Sequence, residues 1–334
     1  MLKSLSFEDV LLIPQFSDIV SRKEVDISTN LGGKINLDIP IISSPMDTVT
    51  ENLTAVEMYN QGGLGVIHRY NSIEEQAALV KSCNGATVGA AVGVSGDYIE
   101  RTCALRDAGV KVICVDIAHG HHALMRHALK TLRNTFGNSI HIMAGNVATL
   151  EGFNDLADWG ADSIRVGIGG GSICSTRIQT GHGIPTFQSI LDCSRSDRNV
   201  GLIADGGIRT SGDIVKALAA GADAVILGSL LAGTNESPGE NIYRDGRSFK
   251  AYRGMASVEA QIDWRGHTAS VEGVSSLVPC KGDLRAVLKG LCTGIRSGFS
   301  YTGARSLIEM QSMATFIQQT SAGAAESSTH INNR

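Results

Sequence analysis

The sequence predicts a single α/β domain folded as a (β/α)8 TIM barrel, and three observations carry that expectation. Apolar runs of about four to eight residues alternate with helix-like amphipathic stretches at a spacing of roughly 20 to 30 residues, the size of one strand–loop–helix unit. Eight such runs follow one another between residues 39 and 227. They are apolar on nearly every residue, which marks strands buried on both faces and hence a parallel sheet wrapped by helices. Eight units of this kind close most simply into a barrel; an open doubly wound sheet is the alternative that pattern alone leaves.

In order, the runs are residues 39–43, 64–68, 86–92, 110–116, 141–145, 163–167, 200–204 and 224–227. The stretches 52–61, 73–82, 97–108, 123–135, 150–159, 187–193 and 213–220 read as the intervening helices. Thr210 and Ser211 are start signals for the last of these and Gly221 its stop; Asp97 and Gly109 bracket the third. Glycine-rich, polar sequences follow the runs at 43–47, 116–120, 145–146, 167–177, 204–207 and 228–229. In a barrel those loops share one rim and build one site. Residues 235–282 are charged and weakly periodic, too long for a plain connector, and are expected to form a mobile lid or flap. Helical periodicity returns at 284–299, and the Ser-, Ala- and Gly-rich tail, 320–334, is expected to fray. No linker divides the chain, so residues 1–334 are read as one catalytic domain.

With 334 residues, 43% of them hydrophobic and 19% charged, the chain can bury a large core without a disulfide or metal staple. Its apolar runs are too short or too glycine-broken to span a bilayer, and its start lacks a signal segment, so a cytoplasmic protein with no membrane partner is expected. A net charge of −4 argues against nucleic-acid binding. Seven cysteines without paired spacing fit a reducing compartment. The cluster His119, His121 and His122 lacks a carboxylate or thiol at ligand spacing, and a strand end running into a helix start is its expected role.

Chemistry concentrates on Cys174. It sits in the run Gly169-Gly170-Gly171-Ser172-Ile173-Cys174-Ser175-Thr176, where the backbone can approach a ligand and a reactive thiol is useful. Cys83, Cys103, Cys114, Cys193, Cys280 and Cys292 lie in apolar contexts and read as small core hydrophobes. Two late strand ends, Asp205-Gly206-Gly207 and Gly228-Ser229, fit a phosphate clamp, with Ser172 adding a hydroxyl. Asp205 repels phosphate and suits a ribose diol, so a nucleotide monophosphate is the simplest ligand. A thiolate beside its base points to covalent addition at an electrophilic ring carbon. Thr176 and a lid residue would then move the proton, and Glu272 is the lone carboxylate between residues 264 and 278; a solvated surface charge is the competing reading.

The stretches Phe7-Glu8-Asp9-Val10-Leu11-Leu12-Ile13-Pro14, Ser43-Ser44-Pro45-Met46-Asp47, Ala144-Gly145-Asn146-Val147, Gly171 to Arg177, Ala204-Asp205-Gly206-Gly207-Ile208 and Tyr252-Arg253-Gly254-Met255 resemble the inosine monophosphate dehydrogenase and guanosine monophosphate reductase family. The likeness runs from about Ser6 into the tail and implies the same barrel, in a homotetramer. It implies nucleotide contacts at Ser44, Met46, Asn146, Ser172, Asp205, Gly207, Gly228, Ser229, Tyr252, Gly254 and Met255, with Cys174 as the thiol that joins purine C2. Asp116, Ala118 and Gly167 fall on the nicotinamide side. The carbonyls of Gly169, Gly171 and Cys174 match a monovalent-cation site, for potassium, whose other half would be Glu326, Ser327 and Ser328 of a neighbouring subunit. Ordering of the tail in the oligomer would follow.

Departures from the family pattern choose between its two reactions. The regulatory module that dehydrogenases insert after the second strand is absent, since Gln76 to Val88 runs straight into the third. The lid reads Asp263-Trp264-Arg265-Gly266-His267 and lacks the tyrosine after arginine with which dehydrogenases activate water. Ser270-Val271-Glu272-Gly273 resembles the reductase flap that sets Glu272 against Thr176, whereas 43–51, 232–240 and 294–298 are closer to dehydrogenases. Gly170 stands where proline is frequent, which should loosen the loop. The expected activity is therefore reductive deamination of GMP to IMP with NADPH. A minimal IMP dehydrogenase forming XMP with NAD is the alternative, and a nucleotide-binding regulator without turnover the second.

Overall fold

The computed structural model describes residues 3–33 and 35–327, and in it the eight apolar runs are parallel strands of one closed barrel. In chain order they are β1 (Ile41–Ser43), β2 (Leu64–Ile67), β3 (Gly89–Val92), β4 (Val112–Asp116), β5 (His141–Val147), β6 (Ser163–Val166), β7 (Gly201–Asp205) and β8 (Ala224–Leu227). Each pairs with its successor, and β8 returns to β1 with Leu227 opposite Ser43. That last pairing is what an open doubly wound sheet lacks. Outside lie α1 (Asn52–Asn60), α2 (Ile73–Ser82), α3 (Tyr98–Asp107), α4 (Ala123–Phe136), α5 (Leu150–Asp158), α6 (Thr186–Cys193), α7 (Ser211–Ala219) and α8 (Leu284–Thr302). No regulatory module interrupts the barrel, because α2 and β3 are joined by residues 83–88 alone.

Alternate strand residues divide between two cores, as the pleat requires. Ile42, Val66, Val112, Cys114, Ile203 and Ile226 belong to the inner cluster, while Ile41, Ile67, Ile113, Val115, Leu202 and Val225 pack outward under the helices. Leu31, Ile35 and Leu37 join the inner cluster from a hairpin of Thr29–Asn30 and Asn36–Leu37. The plug sits so close to the start of β7 that a Cβ on Gly201 would lie 2.4 Å from the Leu31 carbonyl oxygen. Start signals act as expected at α7, where the Thr210 hydroxyl accepts from the Asp213 N–H. Asp97 stands at the start of α3 but spends its carboxylate on Arg101 instead, at 2.8 Å, so its cap is lost to an ion pair within the helix.

Two buried titratable groups lie at the N-terminal ends of the strands. His141 opens β5, with Nε2 2.8 Å from the Ser163 hydroxyl and Nδ1 buried without a partner among the described residues. Burial drives its pKa down from 6.5 to about 4. Between those values the unfolded chain binds the proton and the folded one does not, so His141 withdraws stability as pH falls. Asp223 precedes β8 and accepts the Leu202 N–H at 2.7 Å, and burial pushes its carboxyl up from 3.8 to about 6. Its sign is opposite: stability present at low pH is lost as pH rises through about 6. Relative to wild type, His141→Gln should therefore gain stability on acidification through that window, and Asp223→Asn on the return to neutrality. Urea-unfolding midpoints across the range check both; profiles parallel to wild type would refute the assignments.

Between β8 and α8 the chain leaves the barrel. Residues 235–282 are weakly periodic in sequence because their elements are short and half-exposed, but they are structured. Ile242–Arg244, Arg247–Arg253 and Ser275–Pro279 form a three-stranded antiparallel sheet, and a helix, Val258–Arg265, spans the tip. The tail corrects the compositional reading. Phe316–Gln318 pairs with Val10–Leu12, and Thr320 caps a helix, Ser321–Glu326, by accepting the Gly323 N–H. The helix and its cap extend the described order to Ser327; the rest of the tail, residues 328–334, with Ser328 of the cation-site expectation, lies outside the described residues.

Candidate active site

The C-terminal ends of the strands surround a cleft of about 370 Å³, roofed by the insertion. Every site residue singled out from the barrel and flap lines it. The nucleotide set from Ser44 to Met255, the set Asp116, Ala118 and Gly167, and the loop Gly169 to Thr176 meet there with Glu272. Glu326 does not join them: it is exposed at the end of a helix that packs beside Phe7–Asp9.

Cys174 lies half-buried at the mouth of the loop after β6. Its Sγ donates to Thr176 Oγ1 at 3.1 Å, and Thr176 Oγ1 donates to Glu272 Oε2 at 2.8 Å. Ser270 Oγ holds the other carboxylate oxygen at 3.0 Å. The flap and the cysteine loop are stitched by backbone bonds, Ser175 N–H to Glu272 C=O and Val274 N–H to Ile173 C=O. Glu272 is thereby aimed at the relay rather than free in solvent. Gly170 is closely approached: a Cβ there would lie 2.4 Å from Thr186 Oγ1.

The half of the cleft expected to take a nucleotide is built from close approaches. Gly206 and Gly207 both take positive φ, 91° and 79°, open to glycine at little cost. Among the described residues nothing accepts from the N–H groups of Gly207, Ile208, Ser229 or Leu230, which leaves a set of donors at two adjacent strand ends. A side chain at Gly228 would come within 2.9 Å of the Tyr252 hydroxyl and 3.2 Å of Met46 Sδ. Asp205 Oδ2 accepts from Asn146 Nδ2 at 2.9 Å, and Asn146 Nδ2 also reaches the Gly167 carbonyl at 2.9 Å.

The most consequential residue the sequence reading missed is Arg165, with a side chain only 7% exposed. Its Nη1 donates to Asp116 Oδ1 at 2.7 Å, and its Nε and Nη2 to Asp205 Oδ2 at 3.0 and 2.8 Å. Burial opposes its charge, but Cys114, Asp205 and Asp116 around it hold it protonated well above the ordinary range. Burial likewise opposes charge on Asp116, and Arg165 and Arg69 outweigh it, keeping that carboxyl below its usual range. A lone cation inside the buried strand Ser163–Val166, next to Gly167, was the signal available. Tyr70 and Trp264 were missed too; their rings stack at 4.2 Å and 11° and fasten the flap helix to the barrel beside Arg69. Arg253 adds a second fastening, 2.7 Å from Asp47 and 2.5 Å from Asp263.

The other cysteines divide. Cys83, Cys193 and Cys292 are buried packing groups, but Cys103 and Cys280 are half-exposed, and Cys280 Sγ sits 3.1 Å from Ser248 Oγ at the flap root. Cys114 is buried yet lies under the cleft, 3.2 Å from Arg165 Nη1, with burial pushing its thiol up to about 11. The histidine cluster joins β4 to α4: His122 Nδ1 caps the helix by accepting the Leu124 N–H, and His121 Nε2 lies 2.9 Å from Asp155.

Comparison with known proteins matches this architecture. The model of the IMP dehydrogenase / GMP reductase domain family matches residues 4–330. The chain is 35% identical to a GMP reductase of Leishmania major, over 98% of this chain and 97% of that one. It is 39% identical to an inosine-5′-monophosphate dehydrogenase of Cryptosporidium parvum, over 98% and 95%. Among solved structures it is similar to a GMP reductase of Trypanosoma brucei in complex with guanosine 5′-monophosphate, with a TM-score of 0.95, 32% identity and coverage of 99% and 98%.

Proposed function

Since the chain belongs to the IMP dehydrogenase / GMP reductase family of purine-nucleotide oxidoreductases, we propose that it is a GMP reductase, converting GMP and NADPH to IMP, ammonia and NADP. The observation that carries this reading is the relay Cys174–Thr176–Glu272, because it links the nucleophile to a carboxylate through one hydroxyl. In the direction of the hydrogen bonds, the thiol proton passes through Thr176 to Glu272, and the Cys174 thiolate adds to C2 of GMP. Glu272 returns that proton through Thr176 to the amine, the C2–N bond breaks, and ammonia departs. The purine is left joined to Cys174 through C2. A reduced nicotinamide, when bound, supplies the hydride that takes the amine's place at C2. Release of the C2–S bond frees IMP and restores the thiolate, which takes up one proton. The sum is GMP, NADPH and H⁺ to IMP, NADP⁺ and NH₃.

Asp205 would accept from the ribose hydroxyls, and the free N–H groups at Gly207, Ile208, Ser229 and Leu230 would hold the phosphate. Asp116, Ala118 and Gly167 would receive the nicotinamide side. The fit is supported by Arg69, whose buried Nε stands 3.6 Å from Asp116 Oδ2 and has no hydrogen bond among the described residues. A monovalent cation, potassium, suits the carbonyls of Gly169 and Cys174, which accept no hydrogen bond among the described residues. Gly171 fits less well, since its carbonyl accepts the Cys174 N–H at 3.1 Å, and Glu326 would have to come from a neighbour in a homotetramer. The reading places the protein in the cytoplasm; among the described residues no helix is long and apolar enough to cross a membrane.

The higher identity to a dehydrogenase, 39%, favours as second reading an IMP dehydrogenase that uses NAD. One assay separates them. GMP with NADPH should lose absorbance at the reduced-nicotinamide band and release ammonia, while IMP with NAD stays flat. The reverse pattern overturns the reductase, and silence in both with retained nucleotide binding favours a regulator.

A further inference from the structure

Below the cleft one guanidinium serves two carboxylates that come from different strands. Arg165, on β6, grips Asp116 at the end of β4 with Nη1 and Asp205 at the end of β7 with Nε and Nη2. Each carboxylate keeps its second oxygen toward other partners: Asp116 Oδ2 stands 3.6 Å from Arg69, and Asp205 Oδ1 accepts from nothing among the described residues. The group has close neighbours on its other sides. Cys114 backs Nη1 at 3.2 Å, Asn146 shares Asp205 Oδ2 from β5, and a Cβ on Gly145 would lie 2.6 Å from Cβ of Arg165. A planar fork held on all sides transmits orientation, where a lysine ammonium would act as a point charge.

We infer that Arg165 is a positioning residue that couples the two halves of the cleft, so that nucleotide and dinucleotide each tighten the binding of the other. This rests on the reading above, in which Asp205 meets the nucleotide ribose and Asp116 the dinucleotide. A ribose diol that donates to Asp205 fixes that carboxylate and the guanidinium plane with it, and so presents Asp116 in its binding orientation. The ordering is lost once instead of twice. Linkage makes the effect equal in both directions.

The test uses the full-length protein and oxidised NADP⁺, so that no turnover occurs. Calorimetry gives the dissociation constant of GMP with and without saturating NADP⁺, and of NADP⁺ with and without GMP. In wild type both ratios should agree within the range of about 5- to 150-fold typical of coupled sites. In Arg165→Lys, which keeps the buried charge, the ratio should fall by about tenfold, leaving what direct stacking of the ligands supplies. Asp205→Asn is a second variant that keeps the side-chain shape: at GMP concentrations shown to saturate it, GMP should no longer tighten the binding of NADP⁺. Ratios in both variants within twofold of wild type, or GMP and NADP⁺ binding to wild type without mutual effect, overturn the coupling and leave the proposed activity standing. Coupled binding of IMP and NAD⁺ with none of GMP overturns the reductase and leaves the coupling standing.

Discussion

Cys174→Ala should abolish turnover, lowering the rate of NADPH oxidation with GMP by about 10⁴-fold or more, because no other group in the cleft can form the bond to C2. The nearest alternative thiol, Cys114, lies under the cleft against Arg165, and burial holds it protonated up to about pH 11. Thr176 remains in the variant, but a hydroxyl without a thiolate offers no comparable nucleophile at neutral pH. Binding should survive, since the phosphate donors and Asp205 are untouched. A GMP dissociation constant within about threefold of wild type, measured by calorimetry, together with lost turnover, is the expected pair of results. Retained turnover would remove the covalent step from the mechanism. Lost binding would mean that Cys174 only shapes the loop.

Replacing Glu272 by Gln should cost about 10² to 10⁴ in kcat, the range typical of a positioned proton donor. The amide is isosteric: its oxygen can still accept from Thr176 or Ser270 and its NH2 group can donate to the other hydroxyl, so the flap stays docked through Tyr70 and Trp264 and through Ser175 and Val274. Two steps lose their proton carrier: activation of the thiol and departure of ammonia. They separate with pH. Labelling of Cys174 by an electrophilic purine nucleotide needs the thiolate alone, so in Glu272→Gln it should slow at neutral pH and recover in alkaline buffer, where hydroxide takes the thiol proton in place of Glu272. Turnover should not recover, because the amine still lacks its acid. Equal recovery of both would reduce Glu272 to a base for the thiol. Labelling and turnover unchanged at every pH would return it to the solvated surface charge that the sequence equally allowed.

The site was legible in the sequence wherever local chemistry is unusual. A cysteine among glycines, a carboxylate ahead of two glycines at a strand end, and a carboxylate alone in a long insertion are conspicuous because packing does not ask for them. Cys174, Asp205 and Glu272 stood out on those grounds, and the structure sets all three on one cleft. Arg165 was invisible to the same reasoning, being one letter inside a buried strand. What makes it matter is that β4 and β7 bring the carboxylates of Asp116 and Asp205, 89 positions apart in the chain, to it from either side. Tyr70 and Trp264 show the same limit, since an aromatic on a loop has no meaning until its stacking partner arrives from the far side of the fold. Composition misjudged the described start of the tail, residues 320–327, for a related reason: small polar residues predict fraying only when nothing caps them, and here Thr320 caps a helix.

By itself the sequence determined the order of strands and helices, their doubly buried character and hence the parallel barrel, because strand and helix periodicity are properties of neighbours along the chain. It also determined which loops carry reactive groups, since a barrel sends every strand-to-helix loop to the same rim. Only the tertiary structure decided the hydrogen-bonded chain from Cys174 through Thr176 to Glu272, the sharing of Arg165 by Asp116 and Asp205, and the fastening of the flap by Tyr70, Trp264 and Arg253. Hydrogen bonds and ion pairs depend on tenths of an ångström between atoms far apart in the chain, and those distances are fixed by closure and packing of the whole barrel.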